Sequence, residues 1–405
     1  MTELTRLFAK TKKAFDLPEG VIYLDGNSLG PMSYASRARL VDEMDNQWSK
    51  KLISGWNESG WYHLSQTVGD KIAHLIGASK GTVTAVDSTS INIYKVLNAA
   101  LEMNSDRRVI LSDSGNFPTD LYVAQGIIAH LNKTAAQPFS LKVVSPEQVL
   151  AAIDENVAVV MITQVDYCTG RIHPVAKIVE KAQQLGAKTI LDLCHSAGAL
   201  DVKIEELAVD FAIGCGYKYF NGGPGAPAFV YVRQALLDEI EPVLCGWMGH
   251  QSPFSFDGQY QPAAGINKMR VGTPSVLGLA SLDAALDVWQ GISLAQVRVR
   301  SIELSKLFIE EIAKRAPELE LASPTDPQQR GSQVSYRFDE GYALVQALIA
   351  QGVVGDFRMP NIVRFGITPL YLDEADIIAA ANKIADVLAQ RLWDQPQFKV
   401  RHAVT

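Results

Sequence analysis

The sequence predicts an α/β chain with a mainly parallel sheet, followed by a smaller α+β domain. Three observations predict it. Between residues 108 and 232, short apolar runs alternate with amphipathic helical patterns, as parallel strands covered on both faces require. After about residue 275 long helices take over, with a few isolated strand patterns between them. The chain has 405 residues, of which 47% are hydrophobic and 20% charged, enough for more than one core and too apolar for global disorder.

The elements follow in order. Arg108–Ser112 and Leu141–Val144 read as strands, and Val157–Thr163 is an unbroken β-branched and apolar run, the signature of a buried strand. A turn at Tyr167-Cys168-Thr169-Gly170 follows. Pro174 then opens a helix whose apolar face is Val175, Ile178, Val179, Ala182 and Leu185, and Gly186 ends it. Thr189–Leu193, Val209–Gly214 and Ala228–Val232 are further strands. Beyond them, Val276–Gln290 and Val297–Ala316 read as helices. Ser332–Phe338 alternates like a half-exposed strand, Ala343–Gly352 is a helix, Ile362–Phe365 a strand, and Asp373–Trp393 a last helix. The expected organisation is an N-terminal segment over 1–20, a large domain over 21–285 and a small C-terminal domain over 286–405.

Composition narrows the function. The net charge is −7 and no basic run is longer than Lys12-Lys13 or Arg107-Arg108, so neither nucleic acid nor an anionic membrane is an expected partner. Four cysteines without a Cys-x-x-Cys pair point to a reducing compartment. No apolar run reaches the roughly 18 residues of a membrane span, and Met1–Arg6 lacks a secretory pattern. A cytoplasmic location is therefore expected. The seven histidines are scattered, so no metal site is expected, and there is no Walker loop, Gly-x-Gly-x-x-Gly after a strand, or His-Glu-x-x-His.

Two segments carry chemistry. The strand Phe211-Ala212-Ile213 runs into Gly214-Cys215-Gly216-Tyr217-Lys218, then a Gly-rich loop, Asn221-Gly222-Gly223-Pro224-Gly225. Burial disfavours the charged form of a lysine at a strand end and leaves an amine nucleophile, and close glycines let backbone approach a flat ligand. The plain alternative is a snorkelling lysine beside a turn. Upstream, Asp192 closes a strand of Ile and Leu, where a carboxylate is costly without a cation. The ring nitrogen of pyridoxal phosphate supplies one, because an anion opposite it keeps it protonated. His195, three residues on, is placed to reach the same ring. The plain alternative here is a helix-capping aspartate and a core histidine.

Strand-Asp-x-x-His followed by strand-Lys-Gly-rich loop resembles the pyridoxal-phosphate enzymes of aminotransferase-like fold (fold type I), in the class V group with the cysteine desulfurases. Further motifs resemble the kynureninase family: Tyr23-Leu24-Asp25-Gly26-Asn27-Ser28-Leu29-Gly30-Pro31, Asp87-Ser88-Thr89-Ser90-Ile91-Asn92, Asn116-Phe117-Pro118-Thr119-Asp120, Gly216-Tyr217-Lys218-Tyr219, Gly246-Trp247-Met248-Gly249-His250, Arg270-Val271-Gly272-Thr273-Pro274 and Asn361-Ile362-Val363-Arg364-Phe365-Gly366. They run in this order over roughly residues 20–375.

The resemblance implies pyridoxal 5′-phosphate as cofactor, L-kynurenine as substrate, and hydrolysis of its Cβ–Cγ bond to anthranilate and L-alanine in tryptophan breakdown. It implies that Lys218 carries the cofactor and moves the α-proton, that Asp192 pairs with the ring nitrogen, and that His195 lies beside the ring. Phe117 would stack on the ring with Asp120 next to it. Thr89 and Ser90 would bind the phosphate at a helix N-terminus, where a dianion is favoured. Tyr217 and Trp247 would donate to the phosphate, with Thr163 a further cofactor contact and Thr273 one from the partner subunit of a homodimer. Tyr217 would move protons in the late steps. Arg364 would grip the substrate carboxylate, its planar fork suiting two-point contact, with Asn27 also on the substrate side. The turn departs from the family at Cys168, where arginine is common. Thr273 stands where animal members carry asparagine, which resembles the bacterial branch and its preference for kynurenine over the 3-hydroxy derivative. Taken singly, Phe117 reads as core, Trp247 as interface packing, Asp120 as a cap and Arg364 as a surface pair. A cysteine desulfurase or selenocysteine lyase would need a cysteine on a loop of the small domain, and none follows Cys245. An aminotransferase is the remaining catalytic alternative. A cofactor-binding regulator would need a DNA-binding unit for which the roughly 20 residues before the first motif leave no room.

Overall fold

The structure, a computed structural model, describes residues 3–402, so residues 1–2 of the expected N-terminal segment and 403–405 of the expected small domain lie outside the described residues. Seven strands form the central sheet, in the spatial order Val83–Ala85, Phe229–Val232, Phe211–Gly214, Lys188–Asp192, Val157–Thr163, Val109–Asp113 and Ser140–Val144. Phe229–Val232 pairs antiparallel with both its neighbours, and every other pairing in the sheet is parallel. Every residue of Val157–Thr163 and Phe211–Gly214 is buried, as a sheet covered on both faces demands.

The parallel strands share one direction, so Asp113, Thr163, Asp192 and Gly214 all end at the same edge of the sheet. Register places Thr163 beside Asp192, and Asp192 beside Ile213. In open α/β sheets that carboxyl edge is where loops are free to build a site.

A four-stranded antiparallel sheet follows in the C-terminal part, in the order Asp356–Arg358, Ile362–Gly366, Gln333–Arg337, Glu320–Leu321. Helices Leu294–Arg315, Gly341–Ala350 and Glu374–Ala389 pack with it. Two of these elements differ from expectation. Gln333–Arg337 is buried at four of its five residues, where the alternation predicts one wet face. The helix Leu294–Arg315 covers one face through Phe308 against Tyr336, and Gln333 reaches back to the backbone at Tyr167 and Cys168. The helix expected over 276–290 stops at Ala285 and tightens into a 3₁₀ turn over Leu286–Trp289, ahead of the left-handed Gly291.

The N-terminal residues pack on this C-terminal part. Ile22–Tyr23 pairs parallel with Val353–Val354, Thr11 donates to the Leu370 carbonyl at 2.8 Å, and Lys12 pairs with Asp373 at 2.8 Å. Sequence patterning does not resolve the helices Tyr34–Asp42 and Leu64–Ile76, nor the edge strand Val83–Ala85. A π turn over Glu43–Trp48 extends the first of these helices; there Glu43, buried, accepts from the Trp61 indole at 2.9 Å.

Candidate active site

A cavity of about 360 Å³ opens at the carboxyl edge of the sheet. Lys218 and Asp192 both line it, with His195, Tyr217, Thr163, Phe117, Thr89 and Ser90. Eight of the sequence-predicted site residues therefore meet in one space.

Each is placed by a local feature of the chain. Asp192 is the last residue of its strand, and its Oδ1 accepts from the Cys194 amide at 2.6 Å. Burial raises its carboxyl, opposed by that amide and by Lys218. Lys218 follows the Phe211–Gly214 strand, and its Nζ lies 2.9 Å from His195 Nε2. Burial, with the charges of Lys218, Arg364 and Arg358, holds the His195 imidazole well below its ordinary range, so the ring is neutral where it meets the lysine. The same amine lies 5.9 Å from the ring centres of both Phe117 and Tyr217. Burial, reinforced by Cys215, Cys194 and Asp192, pushes the Tyr217 phenol upward, so it stays a proton donor.

At one end of the cavity the helix Thr89–Glu102 begins, its N-cap Ser88 accepting from the Ile91 amide. The first amides of a helix have no intrahelical acceptor, which leaves donors facing the space beside the Thr89 and Ser90 hydroxyls. Ser90 is hydrogen-bonded to Thr119 at 2.8 Å. Phe117 caps the helix Pro118–Leu131 and meets Tyr167 edge-on, 5.2 Å between ring centres. Asp120, in the first turn of that helix, is fully buried behind the cavity, and burial plus the Asp192 charge raise its carboxyl well above the ordinary range.

The remaining predicted residues do not line this cavity. Arg364 is buried to one side, paired with Asp356 through Nε at 2.5 Å and through Nη2, while Nη1 donates to the Tyr167 carbonyl at 2.5 Å. Asn27 lies on the same side, donating at 3.1 Å to Gln333, which in turn donates to the Tyr167 carbonyl at 3.0 Å. Trp247 is 37% exposed and packs edge-on against Phe254, and Thr273 lines an adjoining cleft of about 240 Å³ that shares Asp87 and Gly225 with the cavity. Sequence reasoning assigned no role to Ser88, Thr119, Tyr167, Cys194 or Ala226, which also line the cavity. Thr119 and Tyr167 sit inside quoted motifs, so their neighbours were the available signal. Ala226 carries none, because a small residue is chosen by space.

A family model described as the kynureninase C-terminal domain matches residues 297–384. A kynureninase of Pseudomonas fluorescens is 44% identical, covering 98% of this chain and 96% of its own length. A kynureninase of Burkholderia pseudomallei is 41% identical with the same coverage. Among solved structures, an apo cysteine desulfurase from Thermococcus onnurineus aligns with a TM-score of 0.78 at 18% identity, over 94% of this chain and 98% of that one. A C-DES variant with glycine covalently linked to its pyridoxal-phosphate cofactor aligns with a TM-score of 0.78 at 18% identity, over 91% and 97%. At that identity the likeness is one of fold, the fold type I of pyridoxal-phosphate enzymes.

The residues fit that cofactor. His195 Nδ1 and Asp120 Oδ1 are buried polar atoms without a protein partner, beside a buried Asp192 that needs a cation. The helix N-terminus supplies donors for a phosphate, and Lys218 supplies an amine for an aldehyde.

Proposed function

This chain belongs to the kynureninase family, and from that premise we propose that the cavity between Lys218 and Phe117 is where it cleaves L-kynurenine hydrolytically at the Cβ–Cγ bond, giving anthranilate and L-alanine. The observation that carries this reading is the convergence of Lys218, Asp192 and the Thr89 helix terminus on one cavity of about 360 Å³.

Bound pyridoxal phosphate supplies an electron sink for carbanionic character next to the substrate's amino group. The chain's residues do the rest. Asp192 would hold the positive charge of the cofactor's ring nitrogen, with His195 beside the ring, Phe117 over it, and Asp120 and Thr163 as further contacts. Thr89, Ser90 and Tyr217 hold the phosphate. Lys218 takes and returns the proton at the substrate Cα. Tyr217, kept protonated by its surroundings, delivers a proton as the Cβ–Cγ bond breaks. Arg364 fixes the α-carboxylate from the Tyr167 side, with Asn27 bracing that wall through Gln333.

Thr273 is assigned to the cofactor of a partner subunit in a homodimer, and because Trp247 also lies outside the cavity of its own chain its phosphate contact is assigned across the same interface. Trp48, Leu52 and Ile53, exposed by 57%, 62% and 80%, give such a dimer an apolar surface to cover. The division into a cofactor domain over 21–285 and a small domain over 286–405 belongs to the same reading, with residues 3–24 packing on the latter. Among the described residues no helix is long and apolar enough to cross a membrane. A cytoplasmic place in kynurenine breakdown goes with this assignment.

The test is incubation of purified protein with L-kynurenine, following anthranilate fluorescence and L-alanine with and without added cofactor. Pyruvate and pyridoxamine phosphate instead would mark a transaminase. Lys218→Ala is expected to lose turnover together with the yellow chromophore of the lysine-bound cofactor; a variant that keeps both refutes the assignment.

A further inference from the structure

Beside the cavity, four ionisable side chains share one buried cluster. Asp356 and Arg364 are cross-strand partners, and Asp356 Oδ2 is also 3.0 Å from Arg358 Nη2 and accepts the Ser28 hydroxyl at 2.5 Å. Asp356 is thereby committed to both arginines. Although burial raises its carboxyl, the Arg364 hydrogen bonds and the two positive charges outweigh burial and hold it below the ordinary range.

Asp25 feels the charge of the same Asp356 and is within reach of the same Ser28 hydroxyl. Its Oδ1 is buried with no partner. Ser28 gives its one hydroxyl proton to Asp356 and accepts from Arg364 Nη2 at 3.1 Å, which commits it to that pair. A buried carboxyl oxygen without a partner costs less when the group is neutral, and two carboxylates in one buried site do not both ionise freely.

The charge count then decides the ligand. Two guanidinium groups and the Asp356 carboxylate leave one net positive charge when Asp25 is protonated, and none when it is ionised. We propose that Asp25 is a specificity-determining residue for the substrate's carboxylate: it carries a proton while that carboxylate is seated at Arg364, so that binding of a monocarboxylate takes up a proton. This rests on the reading of Arg364 as the carboxylate grip. The other titratable groups around Asp25 are Tyr23, Tyr219 and Tyr371, all raised by burial and neutral near pH 7. Asp25 itself is raised to about 7 by burial and by Asp356, with Arg364 and Arg358 opposing.

The sign follows. Below pH 7 the proton is already present and KM is flat in this group. Above it the proton must be taken up, and KM rises toward tenfold per pH unit. The experiment compares the wild-type holoenzyme with Asp25→Asn, which fixes the uncharged state, in KM and kcat for L-kynurenine from pH 6 to 9. The ratio of wild-type to variant KM is expected to climb above pH 7; parallel KM profiles overturn the proposal. A second measurement needs no variant. 3-(2-Aminobenzoyl)propanoate keeps the carboxylate and aryl ketone but has no amine to react with the cofactor. Its binding to wild-type holoenzyme is followed calorimetrically at pH 6 and 8 in buffers of different ionisation enthalpy. Uptake approaching one proton at pH 8 and near zero at pH 6 supports the proposal, and no pH-dependent uptake overturns it. A holoenzyme that forms no anthranilate at any pH fails the function itself, a result separate from the calorimetric one.

Discussion

Gly30 is the place where the N-terminal motif touches the backbone of Lys218, and replacing it with alanine tests how tightly that contact sets the candidate site. Its amide donates to the Tyr217 carbonyl at 2.8 Å. A Cβ at Gly30 would stand 2.2 Å from the Lys218 carbonyl oxygen, 2.4 Å from Asn221 Oδ1 and 2.7 Å from Asn221 Cα. Gly30 is not among the residues with positive φ, so alanine meets no backbone strain of its own there. The whole effect is steric. To restore an ordinary contact of 3.4 Å the Lys218 carbonyl must retreat by roughly 1.2 Å. Overpacking of this kind costs about 1–3 kcal/mol in stability. A displacement of about 1 Å at a reacting group costs about 10²-fold in rate. Gly126→Ala is the control: that glycine sits on an exposed helix with nothing within 4 Å of the new methyl, and alanine there stabilises by about 0.5–1 kcal/mol. Urea unfolding and anthranilate production at saturating cofactor read both effects. If Gly30→Ala keeps wild-type stability and turnover, the motif does not position Lys218 and the steric account is wrong.

Asp356→Ala leaves the fully buried Arg364 without its carboxylate and is expected to destabilise by about 3–5 kcal/mol, measured by urea unfolding; a loss under 1 kcal/mol contradicts a dry cluster. Because the Asp356 carboxyl is held below its ordinary value, its contribution is present above the unfolded value of about 3.9 and is lost as pH falls through the lower folded value. Stability measured from pH 5 to 2 should therefore fall less steeply in Asp356→Asn than in wild type. Lys95, buried in the helix that opens the phosphate end, donates to Asp87 at 2.8 Å and to the Met269 carbonyl at 2.7 Å. Lys95→Met orphans that carbonyl, at about 1–3 kcal/mol, and frees the left-handed Asp87 at the cavity wall. A weaker pyridoxal-phosphate titration is the expected result, and unchanged affinity would separate Lys95 from the site.

Much of the site was legible before any coordinates, for a reason visible in Asp192 and Lys218. Asp192 ends an apolar strand and Lys218 follows another by four residues, and a charged side chain so close to a buried strand is informative because burial makes it costly. Thr89 and Ser90 were legible as small hydroxyl residues before a helical run. Arg364 was legible as a residue type suited to a carboxylate, while the side chain that holds it was not. Asp356 lies eight residues away in a neighbouring strand, and only antiparallel register brings the two together. Asp25 belongs to a segment more than 300 residues from both.

Read without coordinates, the chain already shows the strand–helix alternation, the mainly parallel sheet and the candidate pair Asp192 and Lys218, because hydrophobic period and strand-end chemistry are local properties. Tertiary structure alone decided that Phe229–Val232 runs against the rest of its sheet, that Gln333–Arg337 is covered on both faces, and that two carboxylates meet two arginines beside the cavity. Those depend on which distant segments come into contact, and the period of a single strand holds no record of its neighbour.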